Sequence, residues 1–184
     1  EVRLAESAAE IRAAQALRFA VFYDEMGATP ERDARLTRLD ADAYDMLCDH
    51  LLVIDHRAPR DRAVVGTYRL LRQDIAERHG GFYTAGEFDL TPLLGLRSTG
   101  QLLELGRSCV APAHRNAATI ALLWRGIAGY LATHRISHMF GCASFHGTDP
   151  ALPAAELSYL YHHHLAPPQL RARALAHAPM DRLT

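Results

Sequence analysis

The residue types best suited to chemistry fall in one run, Leu102-Leu-Glu-Leu-Gly-Arg-Ser-Cys-Val110. Glu104 stands between leucines, and a carboxylate in an apolar strand is costly to desolvate unless it is paired or put to use. Arg107 lies three residues on, so a regular strand turns it to the opposite face, whereas a bulge at Gly106 would re-aim it. The plainer possibility is a structural Glu–Arg pair at a strand end. The next run, Val110-Ala-Pro-Ala-His-Arg-Asn-Ala-Ala-Thr-Ile120, reads as a strand end, a turn and a helix start. A helix N-terminus offers unpaired N–H groups and the positive end of a dipole, which suits a phosphate, and Arg115 adds a fixed cation. An ordinary strand-to-helix turn has the same pattern.

Asp40, Asp42, Asp45, Asp49 and His50 form an acidic segment ahead of a strand. They fit caps and turns, or a grip on a cationic substrate. A calcium loop is a poor match, because its glycine and terminal glutamate are missing, and no metal is expected. His162, His163 and His164 point in different directions on a helix, so a packed or solvated helix end is their default reading. Arg57, Arg60 and Arg62 make a compact basic loop. Cys109 and Cys142 sit in apolar segments and read as core thiols.

Composition excludes several chemistries. All 20 basic residues are arginine. Without lysine there is no Walker-type phosphate loop, no pyridoxal Schiff base and no lysine nucleophile. A net charge of −1 argues against non-specific nucleic-acid binding. Three widely spaced cysteines give neither a disulfide framework nor a metal pattern, so a cytoplasmic setting is expected. Arg125 and Arg135 interrupt the most apolar region, which leaves no transmembrane stretch. At 184 residues the chain reads as a single domain. It begins at Glu1 rather than Met, from which a longer natural chain is expected, with residues from about 166 to 184 forming a truncated C-terminal extension.

These residues need elements to hold them. Ser7 and Glu10 form a capping-box pattern ahead of Ile11, Ala14, Leu17, Val21 and Phe22, which predicts a helix ending near Gly27. Arg32, Arg35 and Arg38 suggest a short solvated helix or turn. Leu51–Asp55 and Val64–Leu71 read as an antiparallel hairpin, and Asp89–Leu96 as a short helix or turn. Leu102–Val110 is a strand, Thr119–His134 a strongly amphipathic helix, His138–Phe145 a buried strand and Ala154–His164 a helix. No strand is expected beyond Ala166. This order predicts an α/β fold with a mixed sheet flanked by helices.

Five segments in fixed order carry a resemblance: Arg18-Phe-Ala-Val-Phe22, Cys48-Asp-His-Leu-Leu-Val53, Val65-Gly-Thr-Tyr-Arg-Leu-Leu71, Leu103–Val110 and Arg115–Trp124. Together they resemble the ornithine N-acyltransferase family of ornithine-lipid synthesis, a hemolysin-like branch of the GNAT acyltransferase fold, from about Arg18 to Arg173. The resemblance implies a GNAT-like, mainly antiparallel sheet. It also implies transfer of a 3-hydroxyacyl group from acyl carrier protein to the α-amine of L-ornithine or a similar amino acid. Glu104 is then the catalytic base, with backbone N–H groups beyond it holding the thioester oxygen. Arg18, Phe22, Asp49, His50, Arg69 and Arg107 are the substrate-binding candidates. Val110, Arg115, Ala118, Thr119 and Ile120 are candidates for the donor's 4′-phosphopantetheine, with no tightly bound cofactor. A lipid product implies peripheral contact with the inner membrane face.

The same residues partly resemble acyl-homoserine-lactone synthases, which use S-adenosylmethionine. Those usually place a tryptophan where this chain has Glu25-Met-Gly-Ala28. A coenzyme-A-dependent acetyltransferase would use the same fold with a short acyl donor, and a non-enzymatic binding module would keep the sheet without turnover. Ordinary GNAT phosphate loops carry glycines where Arg115-Asn-Ala-Ala-Thr-Ile120 has alanine and isoleucine. That bulkier loop suits the single phosphodiester of a carrier protein better than coenzyme A.

Overall fold

In the computed structural model, which describes residues 1–59, 62–96, 100–144, 149 and 151–177, a short strand β1 (Val2–Leu4) leads into helix α1 (Ala8–Phe19). The Ser7 hydroxyl accepts from the Glu10 N–H at 3.3 Å and so caps α1 where the sequence predicts. A wider π-helical stretch, Ala20–Glu25, extends it. Gly27, at φ +75°, follows in a backbone conformation that costs glycine little. The arginine-rich segment forms α2 (Arg32–Thr37), which buries nothing.

A 3-10 turn (Ala43–Met46) precedes the hairpin β2 (Asp49–Ile54) and β3 (Val64–Arg72). Then come α3 (Gln73–Ala76), a 3-10 turn (Tyr83–Gly86), β4 (Phe88–Asp89), α4 (Thr91–Leu94) and β5 (Gln101–Val110). The chain continues through α5 (Ala117–Thr133), β6 (Ile136–Phe140), α6 (Ala154–His164) and β7 (Arg173–Ala174). The main sheet runs β1-β2-β3-β5-β6. Its first three pairings are antiparallel and β5–β6 is parallel. This is the expected mixed, mainly antiparallel α/β architecture.

Both faces of the sheet are covered, which explains the nearly continuous apolar runs of β2 and β3. Leu51, Val53, Val65, Leu70 and Leu103 pack against Leu123, Ile127 and Tyr130 of α5. Leu52, Ile54 and Val64 pack against Ala14 of α1 on the other side. Gly126 lets α5 lie close: a Cβ there would stand 2.8 Å from the Val2 side chain and 2.9 Å from that of Leu51. A third cluster of Leu71, Ala76, Phe82, Leu90, Leu93 and Leu102 joins α3 and α4 to the sheet.

The structure corrects two expectations. The strand expected over His138–Phe145 lies earlier, at Ile136–Phe140, because it pairs in parallel with Gln101–Glu104 and then leaves the sheet. Phe145 falls outside the described residues. The C-terminal segment does contain a strand, since Phe88 and Asp89 pair with Ala174 and Arg173. A two-residue ribbon is too short to show an alternating pattern, and three-residue β1 escapes notice for the same reason.

Candidate functional site

The parting of β5 from β6 creates the site. The two strands pair only as far as Glu104 opposite Phe140. At Gly141 a Cβ would overlap the Leu105 carbonyl oxygen, so glycine is needed where the strands fork. Beyond the fork β5 keeps β3 on one edge, and its other edge faces a cleft of about 1260 Å³. Arg69, Tyr83, Glu104, Arg107, Arg115 and Cys142 are among its walls. Cys142 is therefore an exposed cleft thiol, not the core thiol expected from its apolar surroundings.

The β5 register explains how Arg107 enters this space. Thr67 pairs with Cys109 and Arg69 with Gly106, which leaves Arg107 and Ser108 opposite Tyr68 alone. Two residues facing one make a bulge, and Arg107 itself adopts the left-handed φ of +51°. The re-aimed guanidinium lies 3.6 Å from Asp40 and 3.4 Å from Asp42. The expected bulge thus sits one residue later than Gly106.

Glu104 is only 4% exposed. Its carboxylate accepts from the Tyr83 N–H at 2.8 Å, the Thr84 N–H at 2.7 Å and the Thr84 hydroxyl. The structural Glu104–Arg107 pair is not what holds it, because Arg107 turns to the aspartates. No motif marks Tyr83 and Thr84 in the sequence; the signal is spatial, a turn folded over the strand.

The acidic segment and three arginines form a connected network. Arg18 is fully buried, with Nε donating to Asp40 at 2.8 Å and Nη2 to both Asp45 oxygens at 2.9 Å. Arg69 donates to Asp42 at 2.6 Å and to Asp45 at 3.3 Å. Gln15 and His50 complete the shell of Asp45, the His50 Nε2 donating to its backbone carbonyl at 3.0 Å. Three arginines against three aspartates leave the network neutral, which makes its burial tolerable. Burial pushes the Asp45 carboxyl up, and Arg18, the Asp42 N–H and Arg69 outweigh it, so Asp45 stays below the usual carboxylate range. Burial also lowers the basicity of His50. The Arg69 and Arg107 guanidinium groups lie 5.9 and 5.7 Å from the Tyr83 ring centre. Burial pushes the Cys48 and Cys109 thiols up to about 12, which makes them inert near neutral pH.

The remaining candidates divide cleanly. Phe22, Val110 and Arg115 line the cleft. Arg18 and His50 lie beneath it as support. Asp49 faces the other side of the sheet, where it accepts from the Tyr130 hydroxyl at 2.6 Å, because neighbours along a strand point to opposite faces. Arg115 holds Glu25 through two 2.6 Å bonds and donates to the Val110 carbonyl at 3.0 Å. Asn116 caps α5 by accepting from the Thr119 N–H at 3.0 Å, which occupies one of the donors expected to meet a phosphate. Thr119 is buried, and Ala118 and Ile120 are exposed outside the cleft wall. His162, His163 and His164 end α6 without burial. Arg57 pairs with Asp55, and Arg60 lies outside the described residues.

Comparison with known proteins adds to this geometry. An acetyltransferase (GNAT) domain family matches residues 17–125. The chain is similar to the L-ornithine N(alpha)-acyltransferase of Brucella abortus (strain 2308), at 50% identity over 96% of this chain and 64% of that protein. The protein of the same name from Rhodobacter capsulatus is 50% identical over 98% of this chain and 70% of its own length. That from Rhizobium meliloti (strain 1021) is 51% identical over 88% of this chain and 55% of its length. The chain therefore spans between 55% and 70% of these relatives. Among solved structures, the AHL synthase LasI shares the fold with a TM-score of 0.52 at 16% identity, covering 77% of this chain and 70% of that one. FeeM, an N-acyl amino acid synthase from uncultured soil microbes, does so at 0.51 and 13%, covering 76% and 68%.

Proposed function

Because the chain belongs to the L-ornithine N(alpha)-acyltransferase family, within the GNAT fold, we propose that it moves a 3-hydroxyacyl group from acyl carrier protein to the α-amine of L-ornithine, releasing a lyso-ornithine lipid. The observation that carries this reading is a buried carboxylate, Glu104, set at a strand fork beside a stretch of β5 edge that no strand pairs among the described residues, and an arginine-lined cleft.

The amine attacks only when neutral, and with a reference pKa of about 8 most of it is protonated at pH 7. That proton goes to solvent, and Glu104 takes a second one from the nitrogen as the C–N bond forms, directly or through water. As the nitrogen bonds to the thioester carbon, charge develops on the oxygen, and backbone N–H groups along the open edge of β5 stabilise it. The C–S bond then breaks, and the pantetheine sulfur leaves with the proton held by Glu104.

Arg107 suits the amino-acid carboxylate better than Arg69. Its bonds to the aspartates are long and its side chain is 30% exposed, against 5% for Arg69. A guanidinium retains enough donors to add a substrate carboxylate. At the donor end Arg115 meets the phosphopantetheine phosphate, which competes there with Glu25. The lipid product supports peripheral work at the inner membrane face, from the cytoplasm. No described helix is long and apolar enough to cross a membrane.

The test is product capture by mass spectrometry. The full-length protein is incubated with 3-hydroxyacyl carrier protein and L-ornithine, beside arms containing lysine, S-adenosylmethionine or acyl-coenzyme A. An acylated ornithine supports the reading; turnover with coenzyme A and none with the carrier protein overturns the donor. Glu104→Gln is expected to lose about 10²–10⁴-fold in kcat with an unchanged melting curve. Wild-type turnover by that variant refutes the base.

A further inference from the structure

We infer that Thr84 is a positioning residue for Glu104: it saturates one carboxylate oxygen and leaves the other as the atom that receives the proton. This rests on the acyltransfer reading for its chemistry but not for its geometry. An ionised carboxylate has about four acceptor positions, two on each oxygen. Oε1 takes both the Thr84 N–H and the Thr84 hydroxyl, and Oε2 takes the Tyr83 N–H. Among the described residues, the open position therefore lies on Oε2. The Thr84 hydroxyl is fixed from its other side as well. Its single proton goes to Glu104, so the Cys142 thiol, 3.4 Å away, donates to it.

Thr84 is itself buried, on the 3-10 turn that closes over β5. Two consecutive backbone N–H groups anchor the carboxylate without the hydroxyl. The hydroxyl adds control over which oxygen is basic and how readily it takes a proton. In the reaction the amine proton passes to Oε2, the C–N bond forms, the C–S bond breaks, and the same proton leaves on the sulfur. Oε1 stays bonded to Thr84 throughout.

Thr84→Val keeps the side-chain shape and both backbone donors, and removes only the hydroxyl. Losing a donor to the anion disfavours the anion, so Glu104 in this variant binds its proton more readily than in the wild type. Tyr44, Cys48 and Cys142 interact electrostatically with Glu104, and Tyr83, Arg69 and Arg107 line the same cleft. Thr84→Val also takes away the acceptor of the Cys142 thiol and leaves the others as they are, and Thr84→Ser restores that acceptor, so a series of Thr, Val and Ser isolates the hydroxyl.

The direct experiment is a carbon-13 NMR titration of the Glu104 carboxyl in the full-length protein, with Glu104→Gln identifying the signal. Thr84→Val is expected to move the midpoint about one pH unit upward, and Thr84→Ser to restore it. Equal midpoints in wild type and Thr84→Val overturn the inference. With substrates, the acid limb of the kcat–pH profile of Thr84→Val is expected to move upward with the midpoint, with KM for ornithine nearly unchanged. A shifted titration with an unmoved acid limb overturns the positioning role. A wild type without ornithine turnover overturns the acyltransfer reading instead, and the titration still decides whether Thr84 governs the carboxylate.

Discussion

Arg18 has no exposed surface and His50 almost none, yet both carry polar atoms into the layer between α1 and the sheet. They can stay there because Asp40 and Asp45 meet them. Removing one partner would leave uncompensated charge in an apolar layer, which makes this network the rigid base under the Arg69 and Arg107 side of the cleft. The sequence marks these residues as chemically interesting, and their types and grouping are legible. Which of them touch solvent is not, because that depends on how α1 and the Ala43–Met46 turn pack over β3. His50 gives this burial a measurable sign. Burial lowers its affinity for a proton, while the hydrogen bond to the Asp45 carbonyl works the other way. Unfolded, it protonates near pH 6.5. As pH falls below that value the unfolded chain binds the proton first, so folded stability falls with pH until the folded-state pKa is passed. The contribution is complete above about pH 6.5 and has a slope of at most about 1.4 kcal/mol per pH unit. Urea midpoints of wild type are therefore expected to drop between pH 7.5 and 5.5, and those of His50→Gln to drop less. Equal slopes would show that His50 titrates alike in both states.

At the scale of elements, the fork between β5 and β6 governs the site. Parallel pairing over Gln101–Glu104 holds the strands together at one end, and the bulge at Arg107 with the departure at Gly141 opens them at the other. The long elements are legible beforehand: β2, β3 and β5 bury enough side chains to leave apolar runs in the sequence, and α5 enough to leave a helical period. The fork is not, because a glycine after a strand reads equally as a turn. The same holds for the Tyr83–Gly86 turn, whose value lies in two N–H groups that carry no side-chain signature. Gly141→Ala tests the fork. Its new methyl meets the backbone carbonyl of Leu105, which cannot rotate away as a side chain would. A loss of about 1–3 kcal/mol in urea unfolding is expected. Gly129→Ala is the matched control in α5, where a Cβ meets nothing within 4 Å. Relieved of glycine's entropy cost, that helix should gain about 0.5–1 kcal/mol. Losses of equal size at both positions would count against the fork.

Across the whole molecule, charge is balanced and carried on the basic side by arginine alone. Planar guanidinium groups fit the bidentate and stacked roles seen at Arg18, Arg107 and Arg115, where a lysine would supply one point charge. The interior is not evenly shared. The sheet, α1 and α5 enclose the main clusters, and buried Leu123, Ile127 and Tyr130 tie α5 to them. Helix α6 has eleven residues and buries none, while Tyr159, Leu160 and Tyr161 stand exposed. An isolated helix of that length is marginal in water, because most helical stability comes from a packed face. Local opening free energy follows such burial, from near zero at unpacked helices to the global value in the core. Hydrogen exchange of the 184-residue chain should therefore separate two helices that look alike in backbone geometry. Peptides from Leu123–Tyr130 and from β2, β3 and β5 are expected to exchange near the rate of global unfolding. Peptides from Ala154–His164 should exchange orders of magnitude faster. Equal protection of α5 and α6 would mean that α6 draws its stability from contacts outside the buried clusters, and the division of the molecule into a fixed sheet core and a loosely held α6 would fail.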